Sequence, residues 1–322
     1  LALAVSQLRE RRRHQTEHIA FITGDSVEQH QDLAGNTQAD QWLTPSDYQF
    51  AYRTRAAFEA DAYVWSLRKR HGFEPEILTG QQVREKEPAL AEDIDLLAVV
   101  KRHGHITSPG LYVKSLAAVF EQMGGNILQA SAQDFTLVNG KISAVVLEET
   151  SLACDNAVIA TGVWSKHLSE RFGLKIPLES ERGYHVIFKN AANSVKTPTM
   201  VASGKFVATP MHDGLRCAGI VELGGLAAGA SREPIELLMR QVQQTFPRLE
   251  YSDTVEWLGH RPAPADSLPF IGQIGQSGVY TAFGHHHIGL TGGAKTGRLI
   301  ADLICNHPLE HDLQAYRPDR FT

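Results

Sequence analysis

Polar and apolar positions alternate along this chain with two different periods. Tyr48, Phe50 and Tyr52 alternate with polar residues, which predicts a half-buried strand. Over residues 54–72 the period lengthens. Phe58, Ala62 and Trp65 recur at three- and four-residue spacing and predict a helix. Thr79 followed by Gln82 is a capping-box pattern for a short helix ending near Pro88. Pro109 opens a longer helix whose apolar side is Leu111, Val113, Leu116, Val119 and Phe120, and Gly124-Gly125 stops it. Short strands are predicted at 126–130, 135–138 and 142–147, the last two joined at Asn139-Gly140, a strong hairpin signal. Residues 157–160 (AVIA) form a buried strand entering Thr161-Gly162, and a helix over 165–172 ends at Gly173. The stretch 177–232 is strand-rich (RGYHVIF, KFVATP, LRCAGIVEL), and a helix over 234–246 follows. The first 30 or so residues read as helix, with Leu3, Leu8 and Ile19 as their few apolar contacts.

The order is mixed α/β, then a β-rich block, then a return to strand, loop and helix. Such a return predicts an α/β (α+β) chain of two interleaved domains. One is built from residues 104–175 and 256–322, the other from 40–103 and 176–255, with 1–39 a separate helical segment whose order the pattern does not settle. A length of 322 residues is enough for both. Apolar residues at 43% and charged residues at 21% are ordinary for a globular protein. A net charge of −5 argues against nucleic acid as a partner, and the basic run RERRR at 9–13 reads as a solvated helix face. The three cysteines, Cys154, Cys217 and Cys305, are odd in number and far apart. They suggest neither a disulfide framework nor a metal pair, and fit a reducing compartment. No apolar run approaches the roughly 18 residues of a membrane span. The chain opens on Leu1 without a signal pattern, so it reads as an N-terminally truncated piece of a longer protein.

Candidate chemistry concentrates in residues 256–298. A strand at 279–283 leads through a loop at 284–293 into a helix at 296–305 that buries Leu299, Ile300, Leu303 and Ile304. A helix N-terminus offers free N–H groups and partial positive charge to a phosphate, a carboxylate or a developing ring anion. Gly284, Gly289, Gly292, Gly293 and Gly297 permit close backbone approach, although a plain glycine-rich turn would look the same. Consecutive side chains in an extended loop point to alternate sides, so His285, His286 and His287 do not form a metal triad. No HExxH or Cys/His spacing accompanies them. His285 or His287 lining a pocket, as polar donor or proton carrier, fits better. Arg261 lies in a predicted loop at 259–262 that Pro262, Pro264 and Pro269 stiffen. A guanidinium so held suits bidentate capture of a carboxylate, the alternative being a salt bridge such as one to Asp266. Tyr184, in RGYH at the head of a strand, either presents its hydroxyl to a substrate or is a core aromatic. No Gly-x-Gly-x-x-Gly follows an early strand, and Gly224-Gly225…Gly229 sits in a turn without that context.

Taken together, GHITSPGLYVKSLAAVFEQMGG, NAVIATGVWSKHL, PLESERGYHVIF, EWLGHRPAPADSLPFIG and FGHHHIGLTGG resemble the D-amino-acid oxidase and dehydrogenase superfamily of FAD enzymes. They are most similar to its bacterial D-amino-acid and D-hydroxyproline dehydrogenases, in the family's order over roughly residues 48–305. The resemblance implies a Rossmann-like FAD-binding domain lacking its first βαβ unit, interleaved with a substrate domain on a large mixed β-sheet. It implies that Thr161, Gly162 and Trp164 lie near the dinucleotide. Gly284, His285, His286, Gly289, Leu290 and Thr291 then line the flavin, their N–H groups facing its pyrimidine edge. Arg261 grips the substrate carboxylate, Tyr184 faces the flavin across the substrate, and His287 joins them in the pocket. The implied reaction oxidises the Cα–N bond of a D-amino acid or cyclic imino acid by hydride transfer to flavin N5, giving an imino acid and then a 2-oxo acid. Two alternatives stay open: oxidation of a sarcosine- or glycine-type amine, or a flavin-free remnant without activity. The implied partners are that small substrate and an electron acceptor (a quinone, oxygen or another) for a cytoplasmic protein, with peripheral association at the inner membrane face allowed. Two departures stand out. His286 occupies the second glycine of the family's usual Gly-His-Gly-His, and the Gly-x-Gly-x-x-Gly unit that anchors FAD is absent.

Overall fold

The alternation at Tyr48, Phe50 and Tyr52 belongs to β1 (Leu43–Tyr52) in the computed structural model, which describes residues 2–309 and 311–322. β1 is one of eight strands in a mixed sheet. The others are β2 (Glu76–Thr79), β3 (Leu96–Ile106), β8 (Leu178–Lys189), β9 (Thr199–Val201), β10 (Phe206–Met211), β11 (Gly214–Leu223) and β12 (Asp253–Pro264). Their order is β12-β8-β11-β10-β9-β1-β3-β2. β1 pairs antiparallel with β3 and parallel with β9. β3 escapes the period-two pattern because Leu96 to Val100 are all buried, a continuous apolar run with no polar face.

The chain divides into two compact units. Unit 1 is residues 1–29, 120–181 and 260–322, and unit 2 is residues 30–119 and 182–259. The cuts predicted from sequence lie at other places, 39/40, 103/104, 175/176 and 255/256. Two of the observed cuts fall inside strands, β8 and β12, so the chain crosses between units along continuous backbone.

Unit 2 carries the large sheet except for one end each of β8 and β12. Its core gathers Val186, Phe188, Phe206, Leu215 and Phe246 with Leu238 of α8 (Glu233–Thr245). The predicted helix over 54–72 is two helices, α3 (Arg55–Ala60) and α4 (Ala62–Arg70), broken at Asp61, whose carboxylate accepts the Tyr52 hydroxyl at 2.9 Å. In α5 (Gln81–Lys86) the Gln82 side chain reaches back to accept the Thr79 N–H, half of the expected capping box. α6 (Pro109–Gln122) corrects an expectation about faces. Tyr112 is its buried residue, hydrogen-bonded to His30 at 2.7 Å, whereas Leu111, Val113 and Phe120 are exposed.

Unit 1 opens with α1 (Ala2–Thr23), which places Ile22 among Tyr280, Leu299 and Ile300, and α2 (Ser26–Ala34) continues from it into unit 2. Residues 126–130 form no strand. β4 (Ala132–Val138), β5 (Lys141–Leu147) and β6 (Ser151–Ala153) make one small sheet. Asn139 (φ 52°) and Gly140 (φ 78°) are both left-handed, as a tight hairpin turn requires. β7 (Ala157–Ile159), β13 (Phe270–Gln273) and β14 (Val279–Phe283) make the other, in the order β13-β14-β7. α7 (Ser165–Glu170) follows β7, and α9 (Gly293–Ile304) starts three residues before its predicted position. No helix among the described residues is long and apolar enough to cross a membrane.

Candidate active site

β7 and β14 are parallel, with Ile159 opposite Thr281. Their carboxyl ends therefore finish side by side, and the Thr161-Gly162 turn and the Gly284 loop leave the sheet as neighbours. In open α/β sheets this is where ligands bind. Gly162 (φ 60°) and Gly284 (φ 86°) are left-handed, and a Cβ on Gly284 would stand 2.9 Å from Pro264 Cγ. The loop then turns on itself: Ile288 N donates to His285 O at 2.9 Å, and Gly292 N to Ile288 O at 2.8 Å. Among the described residues, the N–H groups of His287, Gly289 and Thr291 meet no acceptor. They precede the α9 N-terminus, where the helix dipole favours negative charge. Gly292 sits hard against α1, since a Cβ there would meet Ile22 Cγ2 at 2.5 Å.

The three histidines separate in role. His285 is buried, and its Nε2 lies 3.0 Å from Thr296 Oγ1 on α9. Burial lowers its pKa to about 4, so it is neutral near pH 7. His286 is left-handed (φ 53°), a region that suits glycine far better than a branched-ring side chain. The His287 ring reaches solvent but sits in a recess dense with protein atoms. Crowding by protein atoms, then His286 and Arg261, push its pKa below the usual histidine range. Among the described residues no group of three or more His, Cys, Asp or Glu gathers as a metal site would require.

Arg261 is on a strand, not in the expected loop. It lies within β12, the edge strand of the large sheet, where Pro262 and Pro264 are tolerated because one side needs no N–H donor. Its Nη1 donates to Glu181 Oε1 at 2.9 Å, so its partner is not Asp266, which Arg320 holds. Next to it, the Pro262 carbonyl accepts the His286 N–H at 3.0 Å and fastens the loop to the arginine's strand. His286 Nδ1 also stands 3.0 Å from Glu181 Oε2, but off the line of a hydrogen bond, so the contact is proximity alone. Trp164 is exposed, with its ring centroid 6.3 Å from that of His260, and Ser180 holds His260 Nδ1 at 2.8 Å.

Tyr184 belongs to unit 2, in which its hydroxyl is fully engaged. It donates to Glu222 Oε2 at 2.7 Å and accepts from Arg182 Nη2 and Ser231 N, each at 3.0 Å. Arg182 is buried, and Glu222 also takes the Ser231 hydroxyl. A cleft of about 320 Å³ lies beside this network, lined by Tyr184, Ser231, Ile235 and Trp257 among others. Tyr184→Phe is expected to cost about 1–2 kcal/mol of stability, because the Ser231 N–H loses its acceptor and Glu222 a donor, while Arg182 Nη2 keeps Glu222 and the Gly229 carbonyl. Urea unfolding checks it. An unchanged midpoint with a raised KM would return the hydroxyl to the substrate.

A family model described as FAD dependent oxidoreductase matches residues 9–303. The chain belongs to that family. It is similar to the D-amino-acid oxidase of Bradyrhizobium diazoefficiens, 35% identical over 95% of this chain and 74% of that one. It is also similar to the D-amino acid dehydrogenase of Rhizobium rhizogenes, 26% identical over 81% of this chain, and it spans 64% of that relative's length. The fold matches glycine oxidase from Bacillus cereus with a TM-score of 0.78 at 23% identity, over 97% of this chain and 84% of that one.

The cofactor of this FAD-dependent oxidoreductase family fits the residues present at one end. Left-handed glycines, three N–H groups without acceptors and a helix N-terminus suit the polar edge of a flavin ring. For the diphosphate the 322 residues supply no Gly-x-Gly-x-x-Gly. Sequence reasoning missed Glu181. No local pattern marks it, since the buried face of β8 itself carries Ser180 and Arg182.

Proposed function

We propose that this chain oxidises the Cα–N bond of a D-amino acid or cyclic imino acid, giving an imino acid that water converts to a 2-oxo acid, with ammonia released or, from a cyclic substrate, the freed amine kept in the same molecule. The observation that carries this reading is the tie between Arg261's strand and the glycine loop, the 3.0 Å bond from His286 N to the Pro262 carbonyl. It holds a carboxylate-binding guanidinium at a fixed place beside the loop that would take the ring. Unit 1 is then the FAD-binding part and unit 2 the substrate domain. Thr161, Gly162, Trp164, Gly284, His285, His286, Gly289, Leu290 and Thr291 would hold FAD, which when bound supplies the two-electron acceptor for the substrate.

The chain's own residues do the positioning. Arg261 orients the substrate by its carboxylate, which fixes the Cα–H direction. The α9 end and the loop N–H groups favour negative charge developing beside them. His285, neutral and bonded to Thr296, fixes the loop without adding a cation. His287 lines the recess as a polar donor. Tyr184 we assign to the support of unit 2. The electron acceptor is a quinone, oxygen or another oxidant. The similarity to a D-amino-acid oxidase supports the substrate class.

The test is anaerobic mixing of the holoprotein with D-proline, D-alanine, their L-enantiomers, glycine and sarcosine. Loss of flavin absorbance with the D-compounds is expected. Loss with glycine and sarcosine only would move the substrate class to small achiral amines.

A further inference from the structure

Glu181 is a charged neighbour of the site that carboxylate capture alone does not call for. It sits at 15% side-chain exposure, with one oxygen 2.9 Å from Arg261 Nη1 and the other 3.0 Å from His286 Nδ1. A lone guanidinium attracts any small anion. A guanidinium already paired with a glutamate does not, because a bare carboxylate arriving at its remaining edge meets the Glu181 charge. A zwitterion arrives differently. Its ammonium lies two bonds from its carboxylate and offers Glu181 an opposite charge while Arg261 takes the carboxylate. The pair Arg261–Glu181 sums to zero charge and has the same polarity pattern, reversed, as an α-amino acid.

We propose that Glu181 is a specificity-determining residue that tunes the site to zwitterionic amino acids and against plain carboxylates, resting on the assignment of Arg261 to the substrate carboxylate. The same glutamate keeps Arg261 in one orientation, leaving Nε and Nη2 for the ligand. His286, held by its main chain to Pro262, stands with Nδ1 3.0 Å from the other Glu181 oxygen.

The test uses a matched pair of ligands that are not oxidised, 2-aminoisobutyrate, which has no Cα hydrogen, and isobutyrate, the same skeleton without the amine. Calorimetric binding to the wild-type holoprotein is expected to favour 2-aminoisobutyrate at least tenfold. Glu181→Gln should reduce that ratio about tenfold, strengthening isobutyrate while weakening the amino acid, and Glu181→Asp should preserve it. A merely structural role would weaken both ligands together and leave the ratio unchanged, which would overturn the proposal. Equal binding of the two ligands by wild-type protein would overturn it without any variant. Arg261→Met separates the two ideas. It should abolish both affinities, and if it leaves both intact, the arginine assignment itself fails.

Discussion

Replacing Arg261 by alanine is expected to raise KM for a D-amino acid about a hundredfold while bound FAD is retained. The guanidinium offers the substrate charge-assisted hydrogen bonds, and losing such a half-buried, paired contact costs roughly 3 kcal/mol, about two powers of ten. Part of that cost comes from Glu181, which loses its partner at 2.9 Å and stays behind as an uncompensated negative charge facing the substrate carboxylate. Because the carboxylate contact is made before and during reaction, the loss should fall on KM more than on kcat. Steady-state kinetics with D-proline, with flavin content read from absorbance, check this. The double variant Arg261→Ala, Glu181→Gln should recover part of the loss, since the stranded charge is gone. An unchanged KM in the single variant would remove Arg261 from the site.

The second large effect is on stability. His285 titrates near pH 6.5 when unfolded and at about 4 when folded. The folded state thus resists its protonation, and between those values the unfolded chain binds more protons. Stability from this group is complete above pH 6.5 and falls as pH drops toward 4, by up to about 3 kcal/mol. Urea midpoints at pH 7, 5.5 and 4 measure it. His285→Asn keeps a hydrogen-bonding group opposite Thr296 but does not titrate, so its midpoints should fall less over that range. An identical slope in the variant would place the acid sensitivity on other groups, such as His18 or His105, whose pKa values burial also lowers.

How much of this was legible before any coordinates depended on whether local pattern or distant contact set the feature. The loop 284–293 and its helix, the Asn139-Gly140 turn and strands β1, β5, β10 and β11 came from period and turn chemistry, and all are present. The α6 face was misjudged because a helix's apolar side is defined by what covers it, and Leu111 and Val113 are uncovered. Arg261 was set in a loop because prolines usually break strands, while edge strands admit them. Glu181 was invisible because nothing local links it to residues 80 and 105 positions away, Arg261 and His286. The same holds for Tyr184, whose partner Glu222 is 38 residues on.

The two crossings of the chain inside β8 and β12 bear on how the protein is made. Unit 1 is assembled from three separated segments, and β7 waits for β14, about 120 residues later, before its parallel partner exists. At roughly 5–20 residues per second of synthesis, that wait is about 6–24 seconds. During it the 157–159 strand has an open edge and the Thr161-Gly162 turn has no neighbouring loop. Folding of this unit is therefore held until β14 emerges, and pairings of such long separation are intrinsically slow. A nascent chain halted before residue 260 should remain protease-sensitive across 120–181, even where residues 182–259 have begun to close.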